Sequence, residues 1–427
     1  MHVIVKIGGV FKIQNLRNME RGTMKIAVLG YGTVGSGVVQ VLKDNKELIT
    51  ERAGKEIEVK YVLDLRDFPG QEVQKLIVHD YDVIVNDPEI EVVVEVMGGI
   101  EPANTFVKKA LLAGKSVVTS NKALVAQCGS DLLKTAKEKK VNFLFEASVG
   151  GGIPIIRALG SSLTADRIEK ISGILNGTTN YMMTKMFYEG ADYESVLKQA
   201  QANGYAEADP TADVEGYDAC RKIAILGSII SGKKVDFEEI YTEGITKISV
   251  EDMLYAKEMG MTIKLLAKCS YEDDRLCALV APCLVSKENP LYNVNDVFNA
   301  VFVRGNMLGD AMFYGSGAGK LPTASAVTAD IIAAVKNPEK NIMNFWTEEK
   351  MELADINSTE KRFFVRMKGE EKELQDKIRS DFGEVSFVAV PELTNEFGFM
   401  TEKMKEEKYN DLAGAYSDIL HMIRIED

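Results

Sequence analysis

MKIAVLGYGTVGSGVVQVL, residues 24–42, decides the fold. MKIAVL alternates in the manner of a strand, and from Thr33 onward the apolar positions recur at helical spacing. Gly30, Gly32 and Gly35 stand at the junction in G-x-G-x-x-G order. In a strand–turn–helix unit the first glycine permits the tight turn and the second lets backbone approach a pyrophosphate. The third allows close helix–strand packing. A helix opening at Thr33 and Val34 points its N–H groups and positive dipole end at that phosphate. A glycine-rich turn without a ligand satisfies the same pattern, so the neighbouring segments must decide.

They continue the alternation. IEVKYVLDL (57–65) reads as a second strand ending in Asp64 and Arg66. An acid there binds the adenosine ribose of NAD, whereas an arginine holds the 2′-phosphate of NADP. With both present the cofactor is NAD or NADP, and Arg66 favours NADP; two solvated strand-end charges are the bland alternative. EVVVEVMGG (91–99), the helical EPANTFVKKALLAG (101–114), KSVVTS (115–120), the helical DLLKTAKEKK (131–140) and the strand-like VNFLFEASV (141–149) follow. Strands alternating with helices specify a doubly wound parallel sheet, whose ligands bind outside the carboxyl ends of the strands. Thr119, Ser120 and Lys122 stand at such an end.

Bulk properties exclude several classes. A chain of 427 residues is too long for one ordinary core. The net charge of -13 argues against a nucleic-acid partner, which favours a basic stripe. No apolar run approaches the ~20 residues that span a bilayer, and the N-terminus lacks a signal-peptide pattern. Five cysteines without a CxxC pair suit reduced thiols, so a cytoplasmic protein with no membrane partner is expected. Three histidines leave little material for a histidine triad.

Beyond the first unit, three consecutive glycines, Gly150 to Gly152, precede Pro154 and a helical pattern. Such a loop can turn carbonyls inward around a monovalent cation or serve as an interdomain hinge, and physics alone favours the hinge. ISGILNGTTNYMM (171–183) reads as a strand, a tight Asn-Gly turn and a helix N-terminus. GYAEADPTADVEGYDACRKIAIL (204–226) concentrates Glu207, Asp209, Asp213, Glu215 and Asp218 ahead of Arg221 and Lys222. Asp218 and Lys222 share a helical face by their four-residue spacing. A lysine at the buried end of an acidic loop, with a second cation such as Lys122 nearby, has a lowered pKa suited to proton transfer. The carboxylates would bind a substrate ammonium; an acidic solvated loop is the alternative. YGSGAGKLPTASAV (314–327) imitates a phosphate-binding loop, but Leu321 follows Lys320 where Ser or Thr must hold magnesium.

GxGxxG at Gly30, EVMGGIEPA, VVTSNKALVA, EASVGGGIPII, GILNGTTNY, GYAEADPTADVEGYDACRK and GSGAGKLPTASAV, in this order, resemble homoserine dehydrogenases over about residues 24–340. The resemblance implies interconversion of L-aspartate 4-semialdehyde and L-homoserine in threonine, methionine and isoleucine biosynthesis. It implies Lys222 as proton donor, Asp218 as its partner and Lys122 near the nicotinamide and substrate. Glu207, Asp213 and Asp218 match substrate ligands. Gly204 and Gly319 match backbone positions near the cofactor, beside Gly30, Gly32, Thr33, Val34, Gly35, Arg66, Thr119 and Ser120. Glu146, Val149, Gly151 and Ile153 match the holders of a monovalent cation (Na+ or K+), mostly through backbone oxygen. A homodimer or homotetramer is implied by analogy. A different dehydrogenase of this architecture and a non-catalytic NAD(P) or amino-acid sensor remain alternatives; a substrate panel separates the first, and loss of Lys222 or Asp218 would have marked the second.

From about Arg362 the pattern reads βαββαβ, the ferredoxin-like order. Such a tail resembles an ACT module, which implies an amino-acid effector at the C-terminal domain. Its first strand–helix turn, KGEEKE (368–373), departs from the usual Asp-x-Pro-Gly-like turn, which puts threonine feedback in doubt and leaves a structural or dimerising tail equally open. The expected organisation is therefore an extension over 1–23 and a Rossmann-type NAD(P)-binding domain over 24–150, completed by about 320–345. An α+β catalytic and dimerisation domain over 151–320 and an ACT-like domain over 361–427 follow.

Overall fold

The computed structural model describes residues 22–343 and 345–426, and ahead of them the backbone pairing of two antiparallel strands, His2–Ile7 and Val10–Asn15. The extension expected over 1–23 falls mostly outside the described residues. Thr23–Leu29 lies inside a six-stranded sheet ordered Ile77–Val78, Glu56–Leu63, Thr23–Leu29, Ile90–Glu95, Ser116–Thr119, Phe143–Leu144. Every pairing in it is parallel. The alternation of the first strand explains the layers, because successive strand residues point to opposite faces. Ile26 and Val28 join Val38 and Leu42 of helix Thr33–Asp44 and Ala324, Val327 and Ile331 of helix Lys320–Lys336. Ala27 and Leu29 join Val107 and Leu111 of helix Ala103–Leu112 and Leu124 and Leu132 of helix Lys122–Lys139. This is the doubly wound sheet expected from the sequence. Its chain order reverses at Thr23–Leu29, which leaves a crevice at the carboxyl ends of the central strands.

Two expectations at the rim of this sheet need correction. Only Phe143–Leu144 of the run 141–149 pairs as a strand, and Ala147–Gly150 is helical. The chain leaves the sheet because the Glu146 N–H donates to the Asp330 carboxylate at 2.8 Å and the Ser148 N–H turns back to the Phe145 carbonyl. The helix expected over 131–140 begins already at Lys122, capped by the Asn121 side chain on the Leu124 N–H at 3.1 Å.

The second sheet is mixed. Its main path runs Gly309–Ser316, Phe298–Gly305, Ile168–Ile174, Met261–Glu272, Arg275–Ser286, then Ile419–Glu426, Glu360–Lys368, Glu396–Thr401, Val385–Val388. Met261–Glu272 and Arg275–Ser286 form a long hairpin closed by Asp273 and Asp274. Both have positive φ (48° and 59°), as a two-residue type I′ turn demands. The last four strands, with helices Glu371–Phe382 and Glu406–Ala413, give the expected βαββαβ order. The second of these helices begins before the expected 409–420, because residues 414–418 turn into the final strand. That strand pairs in parallel with Arg275–Ser286, Cys283 opposite Arg424 through Val285 opposite Glu426. The tail therefore extends the sheet of the preceding region. Among the described residues no helix is long and apolar enough to cross a membrane.

Candidate active site

The glycine turn has the steric demands expected of it. Gly30 sits at φ +97° and donates its N–H to the Leu63 carbonyl at 2.8 Å. A Cβ on Gly35 would stand 1.9 Å from the Gly30 carbonyl oxygen, so only glycine closes this turn. Gly32 caps helix Thr33–Asp44 with nothing within 4 Å of where its Cβ would be, which leaves the backbone open to a ligand. Gly32 and Thr33 are exposed and Val34 is half-buried. These features fit a pyrophosphate at the helix N-terminus.

A cleft of about 500 Å³ opens beside this turn. Gly30, Gly32, Leu63, Asp64, Leu65 and Arg66 form one wall, and Val96, Met97, Pro102 and Phe106 the other, with His79 and Tyr81 completing the lining. The second wall escaped the sequence reading, although the glycine turn after EVVVEV marked where it would be. Asp64 accepts the Tyr31 N–H at 2.8 Å and the Arg66 Nε at 2.9 Å. The Arg66 side chain, its backbone N–H and Tyr31 hold that carboxyl well below the usual range despite partial burial. Arg66 keeps 63% of its side-chain surface in solvent and lies over the Phe68 ring, 5.2 Å from its centroid. Gly204 and Gly319, both exposed at positive φ, do not line this cleft. Ser120 is half-buried, and Thr119 is fully buried with its hydroxyl donated to Glu95.

Lys122 opens the helix that follows Thr119 and forms an ion pair with Asp218 Oδ1. Asp218 lies in the first turn of helix Tyr217–Ser231, where a carboxylate complements the helix dipole. Four residues on, Lys222 Nζ donates to Asp218 Oδ2 at 2.6 Å and to the Leu175 carbonyl at 2.7 Å. Asn176 ties in a third acid: its Nδ2 donates to Asp213 at 2.7 Å and to Asp218 at 2.9 Å. Its Oδ1 meanwhile caps helix Gly177–Glu189. Asp218 and Lys222 are 3% and 8% exposed, whereas the Lys122 side chain is 44% exposed. Burial lowers the Lys222 pKa and the Lys122 cation adds to that effect, while Asp218 opposes it. Burial works against ionisation of Asp218, yet the Lys222 and Lys122 cations hold it below the ordinary carboxylate range. Asp213 is raised by burial. Lys122, Asp213, Asp218 and Lys222 are thus brought together. Glu207 is exposed, and among the described residues no hydrogen bond or ion pair holds its carboxylate. The structural weight of Asn176 and the Leu175 carbonyl was invisible beforehand, because neither carries a charge to draw attention.

In the loop compared with a cation site, Glu146, Val149, Gly151 and Ile153 are buried, whereas Gly152 and Pro154 are exposed. Both Glu146 carboxylate oxygens accept backbone N–H groups, from Ile156 at 2.9 Å and Arg157 at 2.6 Å. Burial and the neighbouring Asp330 push its pKa up to about 7. A Cβ on Gly151 (φ +56°) would meet the Gly317 carbonyl at 2.2 Å, so the glycine lets this loop lie against the 315–319 turn. Main-chain carbonyls are the kind of oxygen donor a hard cation takes, and among them the Ile153 carbonyl accepts the Ile155 N–H at 2.9 Å. Asp330 and Arg157, which pair beside it, were not foreseen.

A family model described as homoserine dehydrogenase matches residues 154–332, and a model of the homoserine dehydrogenase NAD binding domain matches residues 30–146. Homoserine dehydrogenase of Bacillus subtilis (strain 168) is 45% identical over 318 residues, covering 74% of this chain and 73% of its own. The crystal structure of a homoserine dehydrogenase from Thiobacillus denitrificans superimposes with a TM-score of 0.86 at 37% identity, covering 95% of this chain and 99% of that one. A hyperthermophilic archaeal homoserine dehydrogenase in complex with NADPH matches with a TM-score of 0.63 at 30% identity, over 73% of this chain and 97% of that one. With both family models matched in order and such relatives covered over most of their length, the chain belongs to the homoserine dehydrogenase family of NAD(P)-dependent oxidoreductases.

Proposed function

We propose that the protein interconverts L-aspartate 4-semialdehyde and L-homoserine in amino-acid biosynthesis, with Lys222 exchanging the proton at the carbonyl oxygen. The observation that carries this reading is the Lys122–Asp218–Lys222 cluster, with Asp218 and Lys222 buried and Lys122 half-exposed, at the carboxyl-end rim of the cofactor-type sheet. A bound nicotinamide supplies the hydride. Lys222 gives its proton to the aldehyde oxygen in reduction and recovers it from the hydroxyl in oxidation. Asp218 orients the ammonium, and burial together with Lys122 opposes the charged form, so that the proton is released more readily than from a free lysine. Asp213 and Glu207 are proposed to attract the substrate ammonium, Glu207 from its exposed loop.

The finer assignments have separate supports. Preference for NADP rests on the exposed Arg66 guanidinium at the cleft wall. Gly30, Gly32, Gly35 and the first turn at Thr33 and Val34 would hold the pyrophosphate; Ser120, Gly204 and Gly319 would act through backbone. A Na+ or K+ ion would sit among the carbonyls of Glu146, Val149, Gly151 and Ile153, bracing the loop. A homodimer or homotetramer is supported by the apolar outer edge at Met312 and Tyr314, both exposed. An amino-acid effector at the ACT-like tail is supported by its strand order alone.

The test is homoserine-dependent reduction of NAD and NADP, measured separately by absorbance, for the protein and its Lys222→Ala variant. The variant is expected to lose about 10²–10⁴-fold in kcat with cofactor affinity nearly unchanged. Full turnover in the variant would remove Lys222 from the chemistry. Absence of turnover in the unmodified, cofactor-binding protein would overturn the substrate.

A further inference from the structure

Strand Ile90–Glu95 is apolar except for its acids, and Glu95 at its carboxyl end is completely buried. Its Oε1 accepts the Met97 N–H at 2.8 Å and the Gly98 N–H at 3.4 Å, and its Oε2 accepts the Thr119 hydroxyl at 2.6 Å. Met97 belongs to the wall of the cofactor cleft. Thr119, opposite Glu95 in the sheet register, accepts the Asn121 N–H at 2.9 Å. Asn121 donates its amide to the Gly99 carbonyl and caps the helix whose first residue is Lys122. The groups bonded to the Glu95 side chain are all donors, the environment an acceptor-only carboxylate matches. A neutral carboxamide would have to turn its own donors toward some of them. Nothing in the proton transfer uses Glu95, and a buried strand-end acid costs free energy that a valine would not.

We propose that Glu95 is a positioning residue: its carboxylate locks the turns 96–99 and 119–121 together, and so sets Lys122 against Asp218 and the charge felt by Lys222. This rests on the reading of Lys222 as the proton-transferring group. The charged groups facing Lys222 are Asp218 on its own helix, Lys122 from helix Lys122–Lys139 and Asp213 from Thr211–Val214. Of these, Lys122 is the one whose helix cap is tied through Asn121 and Thr119 to Glu95. Loosening that tie lets Lys122 drift into solvent, which its 44% exposure permits. Lys222 then holds its proton more tightly.

The experiment compares pH profiles of homoserine oxidation for the unmodified protein, Glu95→Gln, Lys122→Ala and the double variant. Oxidation needs neutral Lys222, so the rate rises with pH through its titration. Lys122→Ala and Glu95→Gln are each expected to move this rise to higher pH, on the order of one unit, with roughly tenfold less rate below it. In the Lys122→Ala background, Glu95→Gln should move the profile no further. If Glu95→Gln scales the rate equally in both backgrounds and leaves the pH of the rise untouched, the residue is merely structural and the proposal falls. Should Glu95→Gln fail to fold, Thr119→Val breaks the same link and is judged by the same two outcomes. A Lys222→Ala control with normal turnover would sink the proton-transfer reading alone. Non-additivity of kcat between Glu95 and Lys122 would then still decide the positioning.

Discussion

The proposed preference for NADP rests on Arg66. Its fork grips Asp64, with Nε and Nη2 at 2.9 and 3.0 Å, and 63% of its side-chain surface stays in solvent. Arg66→Ser is expected to weaken NADP roughly 10–100-fold while changing NAD affinity little, as read from Kd for each. Equal losses for both cofactors would show that the residue only shapes the loop. Lys264 makes a different residue-scale case. It is 1% exposed and donates to the Val294 carbonyl at 2.6 Å and to Asn295 at 2.9 Å. Burial pushes its pKa down to about 8 from 10.5, with Asp296 opposing. Between those two values the unfolded chain binds more protons than the native one, so this group makes stability rise with pH across that window. Below it the buried ammonium carries a constant penalty. Denaturation from pH 8 to 10.5 should show the protein gaining up to about 3 kcal/mol relative to Lys264→Met. Parallel curves would sink this assignment. The Asp218–Lys222 pair was legible because both residues sit on one helical turn. The partner Lys122 was only suspected, since no local pattern says which distant cation arrives.

Among the elements, the helix that presents its N-terminus to the cofactor cleft depends on a second helix for its position. Gly37 of Thr33–Asp44 lies so close to Lys320–Lys336 that an added Cβ would meet the Lys320 carbonyl at 2.8 Å and the Ala324 Cβ at 2.9 Å. Gly37→Ala should therefore push the two helices apart, costing about 1–3 kcal/mol and weakening cofactor binding. Denaturant unfolding and cofactor titration check it; stability within about 0.5 kcal/mol of the parent would mean the contact relaxes freely. Helix starts marked by a capping residue were readable, as at Asn176 before Gly177–Glu189. The short strand at 143–144 misled, because an apolar run looks the same whether it stays in a sheet or is drawn into a helix by Asp330, far away in sequence.

At the scale of the molecule, the C-terminal strand joins the tail to the sheet before it. Glu426 at its end is 2% exposed and pairs with Lys170 at 2.8 Å and with Lys268. Arg424 bridges Glu406 of the tail and Glu243, and Arg366 and His421 both reach Asp252. Glu426→Gln leaves two lysines facing a neutral group. Because they retain 27% and 20% of their surface in solvent, the expected loss is about 1–3 kcal/mol, below that of a fully enclosed pair. Calorimetry should show the tail melting earlier than the remainder in this variant. A single unshifted transition would mean that strand pairing alone carries the seam.

Local order determined much of this protein from the chain alone: the alternating strands, the glycine turn, the caps, the Asp218–Lys222 spacing and the βαββαβ order of the tail. Each depends on neighbours a few residues apart, where backbone geometry leaves few choices. Tertiary structure alone decided that Met97 and Phe106 wall the cleft, that Thr119 turns its hydroxyl to Glu95, and that Lys122 closes on Asp218. It also decided that the last strand fuses two sheets into one. Those contacts join segments distant in sequence, and their energies come from burial and charge pairing that exist only once the chain has closed on itself.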